Sequence, residues 1–219
     1  MKRIKSIVLT ALLAVSSVSY AQFANSSSGS HSSSSGIDGW MSAWVEYNPI
    51  KTEIQEEDFS LTGFSGGVSR AFSISQDAPL LVETGVGIQY ANGSKTISGT
   101  KVELDLLSAK VPINILFGIE VPNSNLLLFP FAGVTLRYNI SGELKIKSDY
   151  LDTKSDVFDE DKMGEDNTFG RFQAYWQIGA KVQLGQLNIG VSYGKDFQEI
   201  WEKGESKLQT TSITLGYVF

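Results

Sequence analysis

The sequence predicts an all-β fold, an antiparallel up-and-down β-barrel of eight strands over residues 37–219. Three observations predict it. Apolar and polar residues alternate with period two, and no 3.6-residue helical stripe interrupts them. Turn residues punctuate the alternation at intervals that suit hairpins. The alternation also runs to the last residue, where Ile213, Leu215, Tyr217 and Phe219 interleave with Ser212, Thr214, Gly216 and Val218.

Composition narrows the function classes. The 219 residues are 42% hydrophobic and 19% charged, with a formal charge of -6, one histidine and no cysteine. Such a chain is too apolar for disorder and long enough for one domain. Without cysteine there is no disulfide scaffold, thiol catalysis, Cys-ligated zinc or lipidated cysteine. The acidic balance argues against a nucleic-acid partner, whose phosphates demand a basic face. No apolar run approaches the roughly 20 residues that a helix needs to cross a bilayer.

Residues 1–21 read as a secretory signal peptide. Lys2, Arg3 and Lys5 give the basic start, Ile7–Val15 the apolar stretch, and Ser19-Tyr20-Ala21 a small-x-small site for cleavage between Ala21 and Gln22. Residues 22–36, with the run SSSGSHSSSSG at 26–36, form a Ser/Gly-rich tether with little to bury. The only histidine, His31, lies in it without fixed partners.

The strands follow in order, each with one greasy and one polar face. The first, 38–49, sets Ala43, Val45 and Tyr47 against Trp44 and Glu46. In the second, 60–74, Phe64, Val68 and Phe72 oppose Ser69; in the third, 80–92, Val82, Val86 and Tyr90 oppose Gly85, Gly87 and Gln89. The fourth, 101–120, carries Ile113, Ile115, Phe117 and Ile119 against Lys110 and Asn114, and the fifth, 126–144, carries Leu128, Ala132 and Val134 against Gly133 and Arg137. The sixth, 169–184, the seventh, 187–201, and the eighth, 207–219, repeat the pattern, with Gln177, Lys181, Asn188, Gly190 and Gly194 on the polar side. Short connections at 75–79, 122–125 and 185–186 contrast with longer or more polar ones at 50–59, 93–100 and 145–168.

Antiparallel partners keep a constant sum of residue numbers, so register can be read by hand. Leu184 opposite Leu187, across a Gly185-Gln186 turn of type II′, aligns Val182 with Ile189, Ala180 with Val191 and Ile178 with Tyr193. The same rule sets Ile115 opposite Ala132, Ile113 opposite Val134, and Val68 opposite Val86. The polar face is rich in Gly, Ser, Asn and Gln, too tightly filled for a solvated surface. An outward apolar belt around a polar lumen, a transmembrane β-barrel, fits better than a sandwich, a lipocalin or a secreted binding barrel. Phe64, Tyr90 and Tyr138 form one aromatic girdle; Phe72, Phe117, Tyr217 and Phe219 form the other. Arg70 falls on the outer face near one rim, and a phase break at Leu106-Leu107 predicts a bulge in the fourth strand.

The lumen collects the candidate residues Glu46, Glu83, Lys110, Asn114, Arg137, Gln177 and Lys181. Lys110 and Arg137 share a rung, so a carboxylate must sit between them. Glu46 is the expected one and Asp105 the reserve, while Glu83 and Lys181 make a second pair. Chemistry is scarce elsewhere. Without a histidine after His31, Ser-His-Asp catalysis is closed to the barrel. Asp159-Glu160-Asp161 with Gly164 and Asp166 is acid-dense enough for loosely held calcium but lacks EF-hand spacing, so a solvated acidic loop is the preferred reading over a calcium site or a two-carboxylate hydrolase. Gly85-Val86-Gly87 precedes no helix, so it makes room in a narrow barrel and is no dinucleotide fingerprint.

A signal peptide followed by strands that end on aromatic residues two apart resembles the bacterial outer-membrane β-barrels. The likeness is to the small eight-stranded OmpA/OmpX-like proteins, in particular the porin-like outer-membrane β-barrel proteins of Bacteroidota. The resemblance implies that Tyr217 and Phe219 form the C-terminal signal read by the barrel-assembly machinery. It also implies a monomer in the outer membrane of a Gram-negative cell with periplasmic termini. Its partners would be outer-membrane lipid, lipopolysaccharide, periplasmic chaperones and an extracellular ligand of the loops. A non-catalytic structural, barrier or adhesive role without cofactor follows, or alternatively a narrow channel for ions or small solutes. Barrel enzymes of this kind use a rim histidine, which this sequence lacks.

Overall fold

The structure, a computed structural model, describes residues 39–219 apart from 55–56, 75–77, 98–99, 149–150, 160–169 and 199–206. The expected leader and tether, with Ala21, Gln22 and His31, lie outside the described residues, as do acids 160, 161, 165 and 166.

The described strands are β1 (Met41–Ile54), β2 (Glu57–Ser73), β3 (Leu80–Ile97), β4 (Thr100–Phe117), β5 (Ile119–Glu120), β6 (Leu126–Ser148), β7 (Leu151–Asp156), β8 (Phe172–Leu184), β9 (Leu187–Asp196) and β10 (Gln209–Val218). Eight long ones close a barrel in sequence order, with β10 returning to β1 through Val45↔Leu215 and its neighbours. All pairings are antiparallel. The two-residue β5 continues β4 beyond Gly118 and keeps its pairing with β6, and β7 pairs with the far end of β6. The hand-read register holds at Leu184↔Leu187, Ile178↔Tyr193, Ile115↔Ala132 and Val68↔Val86. Only Gly185 of the two turn residues has a positive φ, 59°, as a II′ turn requires.

The strands change character along their length while β1, β2 and β4 keep a single alternation of faces. On the lower part of β4, Ile113, Ile115 and Phe117 are exposed on the outer face while Lys110 and Asn114 are buried inside. On the upper part, Leu104 and Leu106 are buried inside, and Glu103 and Asp105 stand outside. The same inversion occurs on β1, where outward Val45 and Tyr47 give way to Lys51 as inward Glu46 and Asn48 give way to Ile50. It recurs on β2, where Phe64 is outside and Ser65 inside below, and Ser60 is outside with Leu61 and Phe59 inside above. Tyr47, Phe64, Tyr90, Tyr138, Phe172 and Tyr193 mark the level of the change on the outer face.

Two apolar clusters consequently close the interior. The upper one joins Ile50, Phe59, Leu61, Ala91, Leu104, Leu106 and Leu208 to Val157 and Phe158, which follow β7. The lower one packs Ala71, Leu81, Leu116, Phe129 and Phe131 with Trp40 and Leu127. The charged layer lies between them.

Residues 50–59 and 93–100 are largely strand: pairing continues to Ile54↔Glu57 and Ile97↔Thr100, because Ile50, Phe59 and Leu61 have an apolar core to enter above the girdle. The acidic segment is not a loose loop over its first part. Lys145–Ser148 pairs with Leu151–Lys154, and Val157 is fully buried. The bulge belongs to the neighbouring strand: Leu107 pairs with Ser141 and Ser108 with Asn139, leaving Ile140 extra on β6. That one residue turns Leu144 into the upper core; without it Glu143 and Lys145 would point there. The double leucine mimicked a phase break because the polarity inversion falls between Leu106 and the girdle. Arg70 does face outward, its guanidinium 4.8 Å from the Phe72 ring centroid.

The projecting sheet is laced with ion pairs on its outer face: Lys101–Glu103 at 2.7 Å, Lys145–Asp105 at 2.7 Å and Lys154–Glu143 at 2.8 Å. The Lys145 hydrogen bond holds the Asp105 carboxyl below its ordinary range. Its contribution is therefore present above the unfolded value of about 3.9 and is lost as pH falls through the folded one.

Phe158 should act as a stopper. Its ring sits in the upper core beneath the Arg171 guanidinium, 4.7 Å away. Phe158→Ala is expected to cost about 3–5 kcal/mol in urea unfolding from lipid vesicles. The exposed Phe197→Ala should change stability by about 0.5 kcal/mol or less. Equal losses would mean that Phe158 does not fill the barrel mouth.

Candidate functional site: the charged lumen

Inward residues come from the even positions of β1, β4, β9 and β10 and the odd positions of β2, β3 and β8. On β6 they are odd below the bulge and even above it. This parity brings Glu46, Glu83, Lys110, Asn114, Arg137, Gln177 and Lys181 into one enclosed layer.

Glu83 and Lys181 form a buried ion pair across the lumen. Asn114 Nδ2 and Ser69 Oγ donate to the same carboxylate, at 3.3 and 3.1 Å, and Gln177 Nε2 donates to Asn114 Oδ1 at 2.6 Å. Each partner is held by its strand pairing, since Glu83 lies directly opposite Asn114 and Gln177 lies opposite Gly133 beside it.

Glu46 and Lys110 form the second pair. Ser65 Oγ, Thr214 Oγ1 and Asn48 Nδ2 donate to Glu46 at 3.0, 3.2 and 3.3 Å. Trp44 reaches over the rung Gly67–Gly87 toward Lys110, whose ammonium stands 4.8 Å from the indole centroid. A Cβ at Gly87 would lie 2.5 Å from the Trp44 ring, and one at Gly67 would lie 2.6 Å from it. Glycine at these two positions is the floor on which the indole lies.

Arg137 does not share Glu46. It shares a rung with Lys110, but the two side chains diverge. The guanidinium turns over Tyr175 and binds Asp196 at 2.6 Å, with side-chain exposures of 3% and 0%. Gln173 Oε1 accepts from its Nε and Nη2 at 3.0 and 2.5 Å. Two like charges on one rung are thus separated by giving each its own carboxylate. The reserve candidate Asp105 is also displaced, since it faces outward to Lys145. Asp196 and Gln173 are the residues the sequence reading missed. The signal was present: Asp196 continues the inward parity of Asn188, Gly190 and Gly194.

The layer encloses a cavity of about 30 Å³ lined by Trp44, Glu46, Glu83, Lys110, Asn114 and Lys181 among others. That volume holds one or two waters and no solute. Every lumen carboxylate is neutralised by a cation at contact, an arrangement suited to filling and rigidifying the interior. Among the described residues, no cluster of three or more metal-ligating side chains occurs. Tyr217 and Phe219 stand on the outer face, ring centroids 5.3 Å apart.

Glu46→Gln should strand Lys110 and destabilise the barrel by about 3–5 kcal/mol, and Lys110→Met should recover much of that loss. Arg137→Met should not rescue Glu46→Gln but should rescue Asp196→Leu. Urea unfolding in vesicles reads both cycles, and rescue of Glu46→Gln by Arg137→Met would contradict the pairing. Gly87→Ala should be strongly destabilising, with recovery on adding Trp44→Leu; a neutral Gly87→Ala would mean that the indole does not lie there.

No family model matches the sequence, and no curated protein matches it. Among solved structures the chain is similar to Ail, the attachment invasion locus protein of Yersinia pestis, in complex with the heparin analogue sucrose octasulfate. The TM-score is 0.46 at 14% identity, over 84% of this chain and 100% of that one. Neisserial surface protein A gives a TM-score of 0.46 at 12% identity, over 84% and 100%. The outer membrane enzyme PagL gives 0.40 at 11% identity, over 78% and 98%.

Proposed function

We propose that this chain is an integral outer-membrane β-barrel protein whose role is structural, barrier-forming or adhesive and not catalytic. The observation that carries the reading is the inversion of polarity along unbroken strands. A belt with residues such as Val45, Phe64, Ile115 and Ile189 exposed on the outer face is far more apolar than a monomeric soluble surface tolerates. Above it the same strands resemble a soluble protein, apolar inside and charged outside. Lipid on one level and water on the next account for both.

The orientation follows from the same contrast. The close of β2 at Ser73 and start of β3 at Leu80, and the short turns at 121–125 and 185–186, lie at the end that we read as periplasmic, together with Met41 and Val218. The charged hairpins at the other end we read as extracellular. Lipid and lipopolysaccharide are then the immediate surroundings, and the hairpins and the segment after β7 are the surface offered to an external ligand. Export through the leader at 1–21, and delivery by chaperones to an assembly machinery that reads Tyr217 and Phe219, complete the proposal.

Conduction is the weaker reading, because apolar clusters close the interior above and below the ion pairs. Catalysis is weaker still: Glu46, Glu83 and Asp196 are each bound to a cation and lack a reacting partner.

Fractionation tests the proposal. The mature chain should sediment with the outer membrane and migrate faster unheated than boiled. Purified barrels in planar bilayers should add no ion conductance. Detergent-free solubility would overturn the membrane assignment, and steady single-channel currents would overturn the barrier role.

A further inference from the structure

The lysines above the apolar belt are not equivalent. On the side built from β4, β6 and β7, Lys101, Lys145, Lys147 and Lys154 each contact a carboxylate within 3.2 Å. On the opposite side, Lys51 and Lys195 face outward with no carboxylate partner among the described residues. They occupy one rung, Lys51↔Gln209↔Lys195, which continues to Trp176 on β8. Beneath it come the rung Thr211–Tyr193–Ile178 and then Tyr47–Ile213–Val191–Ala180 and Val45–Leu215–Ile189–Val182, the last two apolar throughout and facing out. A third rung, Ala43–Tyr217–Leu187–Leu184, ends the staircase roughly 26 Å along the strand below Lys51.

We infer that this rung binds the phosphorylated headgroup of a membrane lipid in the outer leaflet, with its acyl chains lying along the staircase. The inference rests on the membrane reading above. Charge complementarity and height carry it: two cations without a carboxylate partner among the described residues stand where the polarity inverts, one rung above Thr211 and Tyr193 and over a surface that is apolar from there down. The two lysines sit two strands apart, about 10 Å between backbones, so both ammonium groups can reach one phosphate over Gln209. Gln209 is oriented for it. The Tyr193 hydroxyl donates to Gln209 Oε1 at 3.3 Å, which leaves the amide N–H groups as donors to the phosphate. Tyr193 is braced in turn by Trp176, edge to face at 5.8 Å between centroids.

The test uses the mature full chain refolded into phosphatidylcholine vesicles with and without phosphatidic acid, then extracted into mild detergent for native mass spectrometry. The wild type should retain phosphatidic acid in preference to phosphatidylcholine. The double variant Lys51→Gln/Lys195→Gln should retain it roughly thirtyfold less, at about 1 kcal/mol per lysine. Lys145→Gln/Lys147→Gln, on the compensated side, should retain it as the wild type does. Undiminished retention by Lys51→Gln/Lys195→Gln in a folded, inserted barrel would overturn the site and leave the membrane reading intact. A wild-type chain that fails to insert or to shift on heating would overturn both. Inorganic phosphate that binds the detergent-solubilised barrel as tightly, with the same lysine dependence, would overturn the lipid as occupant.

Discussion

Closure of the hydrogen-bonded ladder between β1 and β10 is the constraint on which the rest of this structure depends. A sheet in hydrocarbon cannot leave an edge unpaired, since each unmatched N–H or C=O costs several kcal/mol there. Eight strands is a narrow way to close, and the interior is only wide enough for side chains. Gly67, Gly87 and Gly133 are therefore needed across from Trp44, Lys110 and Asn114: every large inward residue displaces volume from a neighbouring strand. Closure also dictates how the charges are managed. Between the two apolar clusters each buried cation has a carboxylate at contact, and the described lumen resolves into three neutral pairs.

A buried ion pair is a poor source of net stability, because desolvation offsets most of the attraction. Its value in this barrel lies in register. A one-residue slip would turn Glu83 or Arg137 onto the apolar outer belt and an isoleucine into the lumen, and both errors are costly. The ion pairs link strands far apart in the chain, Glu46 of β1 with Lys110 of β4 and Glu83 of β3 with Lys181 of β8. They therefore select one closed arrangement among the many that apolar alternation alone would allow.

The sequence makes most of this legible through alternation, which reports faces reliably wherever one face is greasy and the other is not. Register in three hairpins, the inward set and the outward Arg70 follow from it. Alternation cannot report what happens where the environment itself changes. At Leu106-Leu107 the apolar face switches from outside to inside, and to a reader of one strand that looks like a bulge. The actual extra residue, Ile140, is invisible because it differs from its neighbours only in what it lies opposite. Pairing partners within the lumen fail for another reason. Parity says that Arg137 and Glu46 both face inward, but long side chains cross several strands, and which carboxylate a guanidinium reaches depends on Tyr175 and Gln173 steering it to Asp196.

An interior filled in this way has little freedom to acquire chemistry, because any new inward group must replace one that closes the barrel or neutralises a neighbour. The outer face above the girdle is under no such constraint. Its residues line no packed interior, and their charge is set independently on each side. There the chain is asymmetric among the described residues: ion-paired lysines along β4, β6 and β7, and lysines without a carboxylate partner flanking Gln209 along β1 and β9. Random surface charge would scatter both kinds. Segregation by side leaves the β4–β6–β7 face neutral pair by pair and the β1–β10–β9 face cationic, which is the contrast the proposed lipid site uses. The distinguishing properties of this barrel therefore belong to its rim and hairpins, and the filled, ion-paired lumen serves to hold them still.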